Sequence, residues 1–111
     1  MIAKAENKFI RLAPRKVREV INLIRGEDTR KAQALLCNLN RRPVATVQKT
    51  LESAIANAKA KGIGEGQLYI SRITADEGPM WKRFKAASFG RAIEIFRRTT
   101  HLRIELDLKG K

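Results

Sequence analysis

The spacing of apolar residues changes near Gly66, and this change restricts the chain to folds that segregate helices from strands. Before Gly66 apolar residues recur every three or four positions, and after it they alternate with polar residues. The first spacing is typical of helices with one buried face, and the second of strands with one solvated face. The sequence therefore predicts an α+β fold in which three helices pack on a small three-stranded antiparallel sheet.

Helices are predicted over residues 14–25, 29–39 and 43–61. Pro14 suits a first helical turn, and Gly26 is placed to end the same helix. The preceding residue, an alanine, has no side chain that can accept a hydrogen bond from the free backbone donors of the first turn. This end therefore needs another group to cap it, and a phosphate is one candidate.

Strands are predicted over residues 68–76 and 102–109, and residues 2–10 form a weaker third strand. The segment between the two clear strands, residues 77–100, is too long for a tight turn and has few apolar residues at helical spacing. Because an unstructured loop of this length is unusual inside a compact domain, we interpret it as a long protruding β-hairpin that turns between residues 85 and 90.

Composition indicates one domain, residues 1–111, with a strongly cationic surface. The formal net charge is +13, and 43% of the residues are apolar, enough for one core. The single cysteine, Cys37, excludes an internal disulfide, fits a reducing compartment and is expected to be a small buried side chain. Residues 1–10 lack the apolar run of a signal peptide or membrane span, so we expect a cytoplasmic protein without membrane contact.

The hairpin segment combines cations with aromatic rings. Six cations against one carboxylate give +5 over residues 81–98. An isolated hairpin is marginal in water, so an anionic partner is expected to hold it, and RNA offers both phosphates and unpaired bases for stacking. We expect residues 82–91 to be mobile in the free protein and ordered on RNA. The candidate RNA-binding residues here are Trp81, Lys82, Arg83, Phe84, Lys85, Phe89, Arg91, Arg97 and Arg98.

A second cationic cluster surrounds the start of the first helix, and we name it the basic patch. Positive side chains beside the positive end of a helix dipole favour phosphate contact. The alternative for any one of these cations is a merely solvated surface, and for the rings of the hairpin it is packing on the domain or on each other. The members of the basic patch are Lys8, Arg11, Arg15, Lys16 and Arg18.

Catalytic chemistry is not expected. His101 is the one histidine, and with Cys37 far away it cannot form a zinc site of usual ligand spacing. No nucleotide-binding glycine motif occurs, so we predict no enzyme activity, cofactor, metal or small-molecule substrate. A DNA-bending protein with a basic β-arm is the alternative to an RNA-binding protein, with Phe89 as the wedge between base pairs.

Several short blocks occur in an order that resembles the bacterial type of large-subunit ribosomal protein twenty-two. The resemblance is collinear and spans nearly the whole chain. The blocks are RKVR at 15–18, LIRG at 23–26, LESAIANA at 51–58, DEGP at 76–79, GRA at 90–92 and RTTHL at 98–102.

The resemblance implies a structural constituent of the large ribosomal subunit, with its globular part near the exit of the peptide tunnel. The hairpin would thread through large-subunit ribosomal RNA, aid assembly and line the tunnel opposite a loop of ribosomal protein four, where it meets the nascent peptide. By position, Lys82, Arg83, Arg91 and Arg98 match cations of the family. The chain departs from the family at residues 86–89, Ala-Ala-Ser-Phe where Pro-Arg-Ala is usual, and at Ala13, where serine is usual.

Overall fold

The computed structural model describes residues 2–78, 81–86, 92–97 and 99–109, and of residues 65, 81–86 and 92–97 it describes the backbone alone. All three predicted helices are present, each one or two residues shorter than the apolar pattern suggested. Their bounds are α1 Pro14–Ile24, α2 Thr29–Cys37 and α3 Val44–Ala60, with a 3₁₀ turn at Glu65–Gln67.

Five strands are present in the described part of the chain. They are β1 Ala3–Ile10, β2 Leu68–Glu77, β3 Trp81–Ala86, β4 Ala92–Arg97 and β5 Thr100–Leu108. The strands β1, β5 and β2 form an antiparallel sheet in that order, so β5 lies at the centre and β1 and β2 at the edges.

The helices cover one face of this sheet, as predicted. Helix α3 packs on β1 and β5, and α1 packs on β2. The buried face of each element follows the apolar spacing of the sequence, and Val20, Leu51 and Ile104 are fully buried. The α+β prediction, with three helices on a three-stranded antiparallel sheet, is thereby confirmed.

Buried and exposed residues do not alternate strictly along β2, since Ser71 and Arg72 are both exposed. A β-bulge explains this. The register with β5 shifts between Ile70 and Arg72, so Ser71 is an extra residue on this strand. As a result Ile70 and Ile73 are both fully buried although they are three positions apart.

Two arginine side chains, one from α1 and one from its C-cap residue, donate hydrogen bonds to backbone carbonyl oxygens on the outer edge of β2. Arg18 Nε donates to the carbonyl oxygen of Ala75 at 3.0 Å, and Arg25 Nη1 donates to the carbonyl oxygen of Ile73 at 2.7 Å. Free carbonyls on an edge strand invite pairing with another chain. These two arginines therefore satisfy part of the edge and fix α1 against the sheet.

One side-chain prediction is wrong. Cys37 was expected to be buried, and it is exposed. Thr29, Ala32 and Leu36 are the fully buried residues of α2, and the position after Leu36 points about 100° further around the helix. Cys37 is also the last residue of α2, where the core no longer covers the helix.

The predicted hairpin forms a second sheet, in which β3 pairs antiparallel with β4 from Trp81 opposite Arg97 to Ala86 opposite Ala92. The molecule measures 66 × 26 × 18 Å, and its Cα radius of gyration is 17.1 Å, against about 13 Å for a compact domain of this length. The predicted protruding hairpin is thereby confirmed. The turn was predicted between residues 85 and 90; residues 85 and 86 lie on β3, and residues 87–91 lie outside the described residues.

Candidate nucleic-acid interface

The basic patch is built by the end of β1 and the start of α1. Lys8 lies near the end of β1, Arg11 follows the strand, and the other three members lie in the first turns of α1. All five side chains are exposed. These five side chains lie close together because only three residues connect β1 to α1, and the connection is short because Pro14 begins the helix.

The N-terminus of α1 has no side-chain cap, as predicted. Ala13 occupies the cap position without a side-chain hydrogen bond, and its carbonyl oxygen accepts from the backbone N–H of Lys16 and Val17. No acidic residue lies in the first turn. The positive end of the helix dipole therefore adds to the field of the basic patch.

Three cations of the basic patch have no anionic partner within the described part of the chain, namely Lys8, Arg15 and Lys16. Some exposed cations elsewhere are paired, as Lys31 is with Glu27 at 3.2 Å and Lys109 with Asp28 at 3.3 Å. Unpaired cations on one surface leave a positive field for an external anion. Arg18 differs from them because its Nε is already used by the Ala75 carbonyl.

The predicted residues of the hairpin are described only in part. Trp81, Lys82, Arg83, Phe84 and Lys85 lie on β3, and Arg97 lies on β4. The remaining three, Phe89, Arg91 and Arg98, lie outside the described residues.

The structure joins the basic patch to the root of the hairpin, although they are far apart in sequence. The Oγ1 of Thr100 donates to the carbonyl oxygen of Leu12 at 2.6 Å, and Thr100 is fully buried. Ile10 pairs with Thr100 in the sheet. The residue after Arg11 is therefore fixed to the strand that returns from the hairpin, which brings one end of the basic patch to the hairpin root.

The hairpin root contains residues that the sequence analysis did not select as a site. The backbone N–H of Gly78 donates to the carbonyl oxygen of Thr99 at 2.9 Å, and the N–H of Phe9 donates to Nδ1 of His101 at 3.1 Å. The rings of Phe9 and His101 meet edge to face, with centroids 5.0 Å apart. The sequence does contain a sign of this irregularity. In β1 the apolar residue Ala5 has an odd number and Ile10 an even one, so strict alternation of apolar and polar residues breaks between them.

The part of the chain that the structure describes contains no group of three or more metal-ligating side chains. None of the helices in this part combines the length and the apolar character needed to cross a bilayer.

Comparison with known proteins shows which class of protein the chain belongs to. Residues 5–107 match the family model described as ribosomal protein L22p/L17e. The chain belongs to this ribosomal protein family, which confirms the resemblance seen in the sequence.

Individual relatives agree over nearly their full lengths. The chain is 46% identical to the large ribosomal subunit protein uL22 of Sulfurihydrogenibium sp. over 94% of this chain and 90% of that protein. It is 40% identical to the protein of the same name from Solibacter usitatus, with 98% of each chain covered. The identity is 44% for that of Mycoplasma capricolum, over 92% of this chain and 93% of the relative.

Proposed function

We propose that the chain is a structural constituent of the cytoplasmic large ribosomal subunit and that it binds large-subunit ribosomal RNA without catalysing a reaction. Family membership over residues 5–107 is the observation that carries this proposal. The net charge of +13 supports it, because binding to phosphates releases counterions and so favours association with RNA.

The geometry supports RNA contact by the basic patch, close to the point where the hairpin begins. The exposed cations Lys8, Arg15 and Lys16 have no acidic partner among the described residues, and they lie beside the uncapped start of α1. The hairpin departs from the same end of the sheet through the hydrogen bond between Gly78 and Thr99. In this arrangement the domain and the hairpin hold two separate RNA segments together, which is how such a protein aids assembly.

The elongated shape of the molecule supports a role for the hairpin in lining the peptide tunnel. The hairpin extends a molecule with a cross-section of 26 × 18 Å to a length of 66 Å. We assign its tip to the tunnel wall, beside the nascent peptide and ribosomal protein four, and the domain to the subunit surface among neighbouring proteins. Over residues 86–89 the chain has Ala-Ala-Ser-Phe where the family usually has Pro-Arg-Ala, so its tip lacks the family's proline and has one cation fewer.

Binding to a large-subunit ribosomal RNA transcript at several salt concentrations tests the electrostatic mechanism. If about six phosphates are engaged, the affinity falls by roughly a thousandfold between about 50 and 200 mM salt. Affinity that does not change with salt would contradict the mechanism.

Matched single substitutions locate the phosphate contacts. Arg15→Gln removes a cation of the basic patch, and Lys31→Gln removes an exposed cation that is already paired with Glu27. We expect Arg15→Gln to lower the salt slope by about one and Lys31→Gln to leave it unchanged. Equal salt slopes for the two variants would show that Arg15 makes no phosphate contact and would contradict the proposed role of the basic patch.

Two further measurements separate the proposal from its alternative. A tagged copy of the chain should sediment with large ribosomal subunits. In competition, structured ribosomal RNA should displace the chain from bound RNA far better than duplex DNA does. Equal competition by the duplex would favour the DNA-bending reading, in which the hairpin bends a double helix.

A further inference from the structure

Phe9 combines two unfavourable features. Its φ is 59°, the one positive value outside glycine among the described residues. Bulky side chains rarely adopt this left-handed conformation. In addition, 54% of the residue is exposed, more than for any other exposed large apolar residue of the described chain. Neither the backbone nor the burial of the ring explains why phenylalanine occupies this position.

A β-bulge creates the strained conformation and directs the ring outward. Asn7 pairs with Leu102 and Ile10 pairs with Thr100, so Lys8 and Phe9 lie together opposite His101. The N–H of Phe9 donates to the imidazole Nδ1 of His101 rather than to a backbone carbonyl. Bulges of this kind often re-aim a side chain beside a functional site.

His101 holds the ring in one orientation. The two ring planes are 89° apart, in an edge-to-face contact. On its other side the imidazole is close to Gly78, where an added Cβ would lie 3.1 Å from Cε1 and 3.2 Å from Nε2. Phe9 therefore presents a fixed aromatic surface to solvent at the root of the hairpin.

The surroundings of Phe9 are cationic. Lys8 precedes it in the bulge and Arg11 follows two positions later, and both side chains are exposed. An open aromatic surface between cations suits an unpaired nucleotide, whose base stacks on the ring while its phosphates contact the cations.

We infer that Phe9 is a stacking platform for one unpaired base of the ribosomal RNA, held in place by His101. This inference rests on the proposed function, since it requires that the chain binds RNA. It adds a base contact at the hairpin root, and it accounts for an exposed phenylalanine at a position with a strained backbone.

The test compares side chains that differ in their aromatic character. Phe9→Leu keeps an apolar side chain without an aromatic face, and Phe9→Tyr keeps the face. Stacking contributes about 1–3 kcal/mol per base, so Phe9→Leu should weaken binding to a large-subunit ribosomal RNA transcript by about 5-fold to 150-fold. Phe9→Tyr should stay within about twofold of the original protein. The salt slope should be the same for all three, because no phosphate contact is lost.

Chemical probing of the RNA gives the second readout. One unpaired nucleotide should be protected by the original protein and by Phe9→Tyr, and reactive with Phe9→Leu. Thermal unfolding of each variant verifies that the fold is intact before binding is compared. If the original protein binds with the expected salt slope while Phe9→Leu binds equally well, the stacking inference is wrong and the proposed function stands. If the original protein does not bind the RNA at all, the proposed function fails.

Discussion

At the residue scale, the root of the hairpin is where small changes should have large effects. Gly78 lies directly after β2, and an added Cβ there would be 2.5 Å from Oγ1 of Thr99. Thr99 and Thr100 are both buried. Because neighbouring atoms in a packed interior cannot move far, this junction accepts glycine and little else.

Gly78→Ala tests the packing of the junction. We expect the variant to lose about 1–3 kcal/mol of unfolding free energy, because the methyl group overlaps Thr99 and approaches His101. Gly64→Ala is the matched control, since an added Cβ meets nothing within 4 Å there. Urea unfolding measures both, and equal midpoints for the two variants would contradict the crowding described for Gly78.

Thr100→Val tests the hydrogen bond that ties the hairpin root to the basic patch. Removal of Oγ1 leaves the Leu12 carbonyl oxygen without this partner, at a cost of about 1–3 kcal/mol. In Thr50→Val the lost bond is to the carbonyl oxygen of Thr46, four residues earlier in α3. That carbonyl keeps its helical partner, so the control should lose much less. Equal losses in urea unfolding would show that the Leu12 contact is unimportant.

At the element scale, α1 and α2 begin differently. Helix α2 is capped by Asp28, whose carboxylate accepts from the backbone N–H of Arg30 at 2.8 Å and of Lys31 at 3.1 Å. These bonds, above all that from Lys31, together with Lys109 lower the pKa of Asp28. Helix α1 has no such cap, and its N-terminus lies within the basic patch. The capped start of α2 stabilises the domain, whereas the start of α1 has no carboxylate beside the positive end of the helix dipole.

The cap of α2 gives a prediction with a definite pH dependence. A carboxylate with a lowered pKa stabilises the fold above its unfolded pKa of about 3.9, and this contribution disappears as the pH falls through the folded pKa. Asp28→Ala should therefore cost about 1 kcal/mol near pH 7 and less near pH 3. Asp28→Asn keeps an acceptor for both N–H groups and should show a smaller loss at neutral pH. Urea unfolding at both pH values measures this, and a loss in Asp28→Ala that does not change with pH would be the contrary result.

At the scale of the whole molecule, the two sheets differ in how they are supported. Strand β5 pairs on both sides and is covered by α3, whereas β3 and β4 pair with each other in a two-stranded sheet. Two-stranded ribbons are marginal in water unless something packs on them. The domain should therefore be stable alone, and the hairpin should gain its stability from the proposed RNA.

Amide hydrogen exchange tests this division. In the free protein, the amides of β3 and β4 should exchange at least about tenfold faster than those of β5. On large-subunit ribosomal RNA they should slow, while β5 changes little. Strong protection of β3 in the free protein would mean that the hairpin is stable without a partner.

The sequence predicts those features that depend on local spacing. The helices and the strands of the main sheet follow from apolar periodicity, and the hairpin follows from the length of the segment between the two clear strands. The family resemblance follows from ordered blocks of residues. The bulges at Ser71 and at Phe9 could not be placed, because each depends on its pairing with β5. The hydrogen bond from Phe9 to His101 joins residues 92 positions apart, and no local pattern specifies such a contact.

The order of strands in the sheet has a consequence for synthesis. The edge strands β1 and β2 do not pair with each other, and each needs β5 as its neighbour. Ala3 pairs with Leu106, so β1 cannot pair until the residues of β5 have been synthesised. Helices can form as the chain emerges, but closing so long a loop is entropically costly and slow. The nascent chain is therefore expected to remain without its sheet until residues 100–108 have left the ribosome that translates them.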